Sequence, residues 1–484
     1  MTIKDLKPTV VWNNFYGLTR CPRPSKHEEV VRRHLLDWAR EHKVEAFADE
    51  TGNVIMRVPA TPGYENRKGV VLQGHMDMVP QKISSKDHDF LKDPITTVVD
   101  GDWVKADGTT LGADNGMGVA MALSVAEDKS LRHGPVEILV TYDEETGMSG
   151  ADALKPGVLH GDILLNLDSE DENELCIGCA GGLDAIADFK YKTLPTPRGY
   201  VGYRIVIKGL SGGHSGMDIS LYRANANKVM VRTLIPLIEK YGAKVADYSG
   251  GSLRNAIPFE ADALIAIPAD KAPAALHQIR RISKDLTARY AQSDPDMQVI
   301  VEKTARPARY IEDAVMLKAC KAIFVCPSNV IRMSRSMEGL TETSINLAVV
   351  RCGRGHLTVS SLLRSAVDES KQELALRVKY IFEAAGAKIK FVGGYPGWTP
   401  RPDTPIIQLI NEQHIKLYGT PMNIAATHGG LECALLGAKY PNWEMVSIGP
   451  TVLYPHSPDE RCFIPSVQRS WDLLKAVLEN IPEK

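Results

Sequence analysis

The run Val70-Val71-Leu72-Gln73-Gly74-His75-Met76-Asp77-Met78 constrains this chain more than any other. Its leading apolar residues suit a strand buried on both faces, and the glycine followed by His-x-Asp places an imidazole at that strand's C-terminal edge. A neutral imidazole is a common zinc ligand, and a carboxylate two residues on, Asp77, is well placed to fix the ring. Alone, His-x-Asp is an ordinary tripeptide. It gains meaning because later stretches repeat the plan, each a short apolar strand or loop ending in acids or histidine.

The first of these is Leu111-Gly-Ala-Asp114-Asn-Gly116, opening a helix, Met117 to Ala126, whose apolar residues run nearly all the way round. Val136–Tyr142 ends in Asp143-Glu144-Glu145, Ile163–Leu167 ends in Asp168-Ser-Glu170, and the loop Leu453–Glu460 carries His456. Strands alternating with helices, each strand releasing a polar residue at its C-terminal end, predict an α/β fold. Its sheet is mostly parallel and sandwiched by helices, with the site outside the carboxyl ends of the strands. Upstream, Ser25-Lys-His-Glu28 reads as a capping box before a helix striped by Val31, Leu35, Trp38 and Ala39.

From about residue 185 the texture changes to β-α-β-β-α-β, with strands near 203–208, 244–248, 258–267 and 298–302 and helices near 224–241 and 272–291. A second, less regular copy runs from about Ile311 to Val392. Residues 186–390 therefore read as an inserted α+β lid domain of doubled design, and residues 1–185 with 391–484 as one discontinuous catalytic domain.

With 484 residues, 44% hydrophobic and 24% charged, the chain suffices for two or three ordinary cores. A net charge of −2 gives no electrostatic ground for nucleic acid or an anionic membrane as partner. The N-terminus lacks the plan of a signal peptide and no window approaches a membrane span, so a cytoplasmic location is expected. The eight cysteines are thinly scattered, and Cys176-Ile-Gly-Cys179, with no second close pair, reads as buried thiols.

Gathered together, His75, Asp114, Glu145, Asp168 and His456 offer two imidazoles and three carboxylates, a set suited to zinc rather than calcium. Five ligands are too many for one tetrahedral catalytic zinc with an open position, but they suffice for two if one carboxylate bridges, and Asp114 is the candidate. Two Zn²⁺ against three carboxylates and a hydroxide close to neutrality, which a partly buried cleft tolerates. Adjacent acids at a strand end point in opposite directions, so one of Glu144 and Glu145 can bind metal while its neighbour serves as general base.

His75-x-Asp77, Gly112-x-Asp114-Asn-Gly116, Glu144-Glu145-x-Gly147, Asp168 and the His456-Ser457 loop resemble the M20 family of metallopeptidases, along essentially the whole chain. Further runs, among them Gly178-Cys-Ala-Gly-Gly182, Leu253-Arg-Asn-Ala-Ile-Pro258 and Tyr395-Pro-Gly-Trp398, point within it to the aminoacyl-histidine dipeptidase branch. The resemblance implies a zinc-peptidase-like fold, with His75, Asp114 and Asp168 on one zinc and Asp114, Glu145 and His456 on the other. It makes Asp77 the residue orienting His75 and Glu144 the general base and acid. His214 resembles a lid histidine that reaches the scissile carbonyl, while Asn255 and Arg364 resemble lid contacts to the substrate's C-terminal half. In His428-Gly-Gly-Leu-Glu432, Glu432 is expected to help hold the substrate's free amino group, and His428 ranks behind His456 as a ligand.

The expected activity is hydrolysis of unblocked dipeptides, Xaa-His included, by a hydroxide activated on two Zn²⁺, with Mn²⁺ or Co²⁺ as substitutes and a homodimer possible. N-acyl-amino-acid deacylation or carboxypeptidase action on the same scaffold is the nearest rival. A non-catalytic metal-binding relative is the other, and the complete ligand set with Glu144 argues against it.

Overall fold

The structure, a computed structural model, describes residues 2–484. The chain forms two compact units, one of Met1–Gly178, Pro400–Ala426 and Leu431–Lys484, the other of Cys179–Thr399 and Thr427–Gly430. Among the described residues no helix is long and apolar enough to cross a membrane. No disulfide joins the eight cysteines, seven of which, Cys176 and Cys179 included, are buried.

The first unit is built on an eight-stranded sheet whose centre is parallel. Val70–His75 lies between Val136–Thr141 and Ile163–Asn166, and Glu444–Ser447 follows on the far side of Ile163–Asn166, every pair parallel. Each position of the first three strands is buried, which is why they read as mainly apolar runs instead of alternating ones. The flanks are antiparallel: Glu45–Ala48 and Val54–Val58 on one side, and Glu174–Cys179 beside Glu444–Ser447 on the other. The helix Ala113–Glu127 packs on the Val70–His75 strand and is buried from Asn115 through Ala126, as its all-round apolar sequence requires.

The helix Glu29–His42 buries Val31, Leu35, Trp38 and Ala39 as one stripe. The capping box expected before it does not form. Ser25 donates its hydroxyl to Asp77 at 2.8 Å, and Glu28 Oε1 accepts from the N–H groups of Lys26 and Asp143. Both side chains are drawn to the polar end of the sheet, where buried donors and acceptors outcompete a local cap.

The second unit holds a nine-stranded sheet made of two β-α-β-β-α-β copies, with a ninth strand, Asn329–Met333, paired on Thr341–Gly353. One copy is Tyr200–Lys208, helix Ala226–Tyr241, Lys244–Gly250, Ala261–Pro268, helix Ala272–Arg289 and Gln298–Thr304. The other copy does not start near Ile311 as its sequence suggests. Its leading strand is Gly181–Lys190, and the whole first copy is inserted after it. Helix Asp313–Val325, strands Thr341–Gly353 and His356–Ser365, helix Asp368–Ala384 and strand Lys388–Tyr395 complete it. Within each copy the fourth strand borders the first, then come the third and second. The copies join through their second strands, where Ser249 and Gly250 pair with Arg351 and Val350.

A small antiparallel sheet in the first unit orders Val452–Leu453, Arg461–Phe463, Trp103–Ala106 and Thr97–Asp100, and the connection between its first two strands carries His456. At the end of that connection the buried Glu460 carboxylate accepts four successive backbone N–H groups, from Leu111 (2.8 Å), Gly112 (2.9 Å), Ala113 (2.7 Å) and Asp114 (3.2 Å). One side chain thereby fixes the loop that delivers Asp114. Glu460→Gln turns an amide N–H₂ toward those donors and leaves some of them unsatisfied. It should lower stability by about 1–3 kcal/mol, read from the midpoint of a denaturant titration.

A candidate two-metal centre

The residues gathered from separate strand ends converge. His75, the last residue of its strand, places Nε2 3.1 Å from Asp114 Oδ1 and 3.4 Å from Asp168 Oδ1. His456 places Nε2 3.0 Å from Asp114 Oδ2 and 3.0 Å from Glu145 Oε2. Asp114 is thus shared, one oxygen facing each imidazole, and the ligand atoms of His75, Asp114 and Glu145 lie within 4.8 Å of one another. On its other side, His75 Nδ1 sits 3.2 Å from Asp77 Oδ1.

The acids here are held close together out of water. Burial pushes Asp168 up to about 6 despite His75 beside it, and burial next to Asp168, Glu432 and Glu145 pushes Glu144 well above the usual carboxylate range. Asp114 goes the other way: burial opposes its charge, but hydrogen bonds to His456 and His75 win and lower it. Hydrogen bonds to Asp114 and Glu145 raise His456 to about 11, and His75, though burial favours its neutral form, is held protonated by Asp168, Asp114 and Asp77. Glu145 Oε1 is buried without a hydrogen-bond partner. A site in which imidazoles must take up protons to balance clustered carboxylates fits divalent cations in place of those protons.

The loops around the centre carry side chains that hold it. Asp77, fully buried, accepts the N–H groups of Glu144 at 3.1 Å and Glu145 at 3.2 Å, so one carboxylate lies against the His75 ring and holds the acidic turn. The strand before that turn ends at Thr141, and Glu144 and Glu145 begin a short helix, Glu144–Gly147, instead of extending the strand. Their side chains still diverge, by the roughly 100° step between neighbours on a helix and not by strand alternation. Glu145 meets His456, whereas no protein hydrogen bond among the described residues engages the Glu144 carboxylate.

Further groups position the site, Arg23 among them without any motif. Arg23, 2% exposed, donates to the carbonyls of Met76, Asp77 and Gly112. Asn115 accepts the His75 N–H and donates to Leu167 O, next to Asp168. Glu432 Oε2 accepts from Gln73 Nε2 and Thr141 Oγ1, both at 2.6 Å, while its Oε1 is buried and unpartnered. Gln73 is locked in turn by Asn166 Nδ2 at 2.6 Å, its neighbour in register.

The second unit contains the other expected residues. His214 Nδ1 accepts from the N–H groups of Gly216 (3.3 Å) and Met217 (3.2 Å), so its neutral ring carries the proton on Nε2. Burial and the nearby Arg364 lower its pKa and keep it neutral. The Asn255 carbonyl accepts the Ser215 N–H, and Asn346 Nδ2 holds the carbonyls on either side, those of Arg254 and Ala256. His428 lies in this unit too, its Nε2 2.7 Å from Ser344 Oγ, and so belongs to a different cluster from the ligands above.

Residues 71–480 match the sequence profile of Peptidase family M20/M25/M40. The Cytosol non-specific dipeptidase of Escherichia coli (strain K12) is 41% identical over 487 aligned residues, covering 100% of this chain and 99% of that one. Aminoacylhistidine dipeptidase from Vibrio alginolyticus superimposes with a TM-score of 0.93 at 43% identity, over 100% of this chain and 99% of that chain. Aminopeptidase PepT from Bacillus cereus ATCC 10987, at 15% identity and a TM-score of 0.58 over 98% of this chain and 99% of that chain, shares the fold. The profile match spans all five residues of the cradle, and by it the chain belongs to Peptidase family M20/M25/M40.

Proposed function

We propose that the protein is a two-metal dipeptidase of the cytosol that hydrolyses unblocked dipeptides, Xaa-His among them. The carrying observation is Asp114, which offers one carboxylate oxygen to each of two imidazole-carboxylate sets. The names of two relatives alike along the full chain supply the substrate class.

His75, Asp114 and Asp168 would hold one cation, and Asp114, Glu145 and His456 the other. Zinc is the proposed metal, because imidazoles and carboxylates mixed in this ratio suit it, with manganese or cobalt as substitutes. When bound, the pair would polarise a carbonyl and lower the pKa of water toward about 7. Glu144, half-buried and with a carboxylate free of protein hydrogen bonds among the described residues, takes the proton of the attacking water and returns it to the leaving amine. Asp77 keeps the His75 ring in place while this happens. Glu432 presents its unpartnered Oε1 to the substrate ammonium. In the second unit, acting as a lid, the Nε2–H of His214 is a donor for the scissile carbonyl. Asn255 and Arg364 bind the C-terminal half.

Arg364 supports that last role. It is 6% exposed, yet no carboxylate among the described residues lies within 4.0 Å of its guanidinium. Asp184, whose charge feels it, is engaged by Arg254 at 3.1 Å. A buried guanidinium without a protein anion calls for one from a ligand.

Glu144→Gln should retain both metals by elemental analysis and lose about 10²–10⁴-fold in kcat; turnover near the parent level defeats the mechanism. A panel of dipeptides, N-acetyl amino acids and tripeptides should show preference for the dipeptides, and preference for the acylated substrates would reassign the enzyme. Stripped protein should release protons on metal uptake, because His75 and His456 have raised pKa values and are protonated at neutral pH without it. Affinity should therefore fall steadily as pH drops from 8 to 6, measured by competition with a chelator.

A further inference from the structure

Four residues stand side by side across adjacent strands of the second unit: Ser344, Arg364, Gly182 and Tyr395. Residues directly opposite in antiparallel strands project from the same face. Gly182 therefore leaves a gap between Arg364 and Tyr395, and the tyrosine ring fills it. A Cβ on Gly182 would fall 2.5 Å from Tyr395 Cε1, and one on Gly430 would fall 2.9 Å from its hydroxyl oxygen. Two motif glycines, in Gly178-Cys-Ala-Gly-Gly182 and His428-Gly-Gly430, thus share one purpose, which is to let this ring lie flat toward Arg364.

The ring is held there at its other end as well. Lys371, 4% exposed, donates its ammonium to the Tyr395 carbonyl, and Asp368 accepts from both Lys371 at 2.7 Å and the Gly397 N–H at 3.1 Å. Arg364 Nη1 donates to the tyrosine hydroxyl at 3.3 Å, while its Nε reaches Ser215 Oγ at 3.5 Å. A phenol that accepts a hydrogen bond still has its own proton to donate. No acceptor among the described residues takes the proton of Tyr395, and burial raises its pKa, so the proton stays on at neutral pH.

We propose that Tyr395 is a specificity-determining residue whose hydroxyl, together with the Arg364 guanidinium, binds the free C-terminal carboxylate of the substrate. The guanidinium supplies charge. The phenol supplies a second, uncharged donor fixed in direction by Arg364 itself, so the pair is a two-point receptor for a planar anion. This rests on the dipeptidase reading above and adds to it a selection for peptides whose second residue is the last.

The test compares a dipeptide with the same dipeptide as its C-terminal amide, in the metal-loaded full chain. Tyr395→Phe should cut the ratio of kcat/KM for dipeptide over amide by about 10- to 100-fold, with the loss on the dipeptide carried mainly by KM. Gly182→Ala, which keeps both donors but displaces the ring, should cut the same ratio. Equal losses on dipeptide and amide would mark a purely structural tyrosine and overturn the proposal. So would an unchanged ratio in Tyr395→Phe alongside a collapsed one in Arg364→Lys, which leaves the dipeptidase reading standing. A parent enzyme that cleaves the amide as well as the dipeptide overturns the carboxylate receptor altogether, whereas one that cleaves no dipeptide overturns the reading beneath it.

Discussion

The first unit depends on one electrostatic constraint, the sharing of the Asp114 carboxylate between two imidazoles with further acids packed against both. Two like charges 4 Å apart interact by about 4 kcal/mol at the effective dielectric of a protein interior near its surface. That exceeds what one hydrogen bond returns, so Asp114, Asp168, Glu144 and Glu145 stay together only with positive charge among them or with protons taken up by the acids, the direction in which Glu144 and Asp168 are pushed. The protein's own contribution is geometric. Four backbone N–H groups on Glu460, three carbonyls on Arg23 and the Asp77 bonds to Glu144 and Glu145 hold the loops so that the acids cannot spread apart. Left-handed backbone at Asp143 (φ 53°) and His456 (φ 60°), both non-glycine, places two of these loops in a conformation that local preference disfavours.

How far the sequence disclosed this depended on how local each signal was. The His75 and Asp168 strands were legible because burial on both faces leaves a mainly apolar run that ends close to the candidate residue. The divergence of Glu144 from Glu145 was legible for another reason than the true one, since a helical turn separates neighbours as a strand does. His456 was legible as a candidate from its polar loop, but its assignment to one metal came from the resemblance to the family: the loop belongs to a hairpin of two- and three-residue strands, too short to show a period. The roles of Arg23, Gln73 and Glu460 left no trace at all, because each acts through contacts 53 to 359 residues away in sequence.

The doubled second unit shows the same limit at the scale of a domain. Its second copy borrows a leading strand, Gly181–Lys190, from before the first copy, so no window of sequence contains that copy whole. Periodicity finds strands and helices one by one, but insertion of one unit inside another is recorded only in which strands pair. The pairing has consequences for chemistry. Gly181–Lys190 is the strand that carries Gly182 between Arg364 and Tyr395, and a second copy starting near Ile311 would have lacked it.

Both units rest on a common physical logic that reaches past the metal centre. Ionised groups taken out of water cost several kcal/mol each unless matched. The first unit is oversupplied with buried carboxylates, among them Glu432 with a free oxygen, and the second buries an arginine with no carboxylate within 4.0 Å among the described residues. Neither imbalance favours the resting protein, so each marks a place where a ligand completes the charge. Cations answer most of the first imbalance. What is left is, in the first unit, a Glu432 oxygen with no protein partner and, in the second, an Arg364 guanidinium with no carboxylate within 4.0 Å among the described residues; each is a local mismatch that its own unit's hydrogen bonds do not fill.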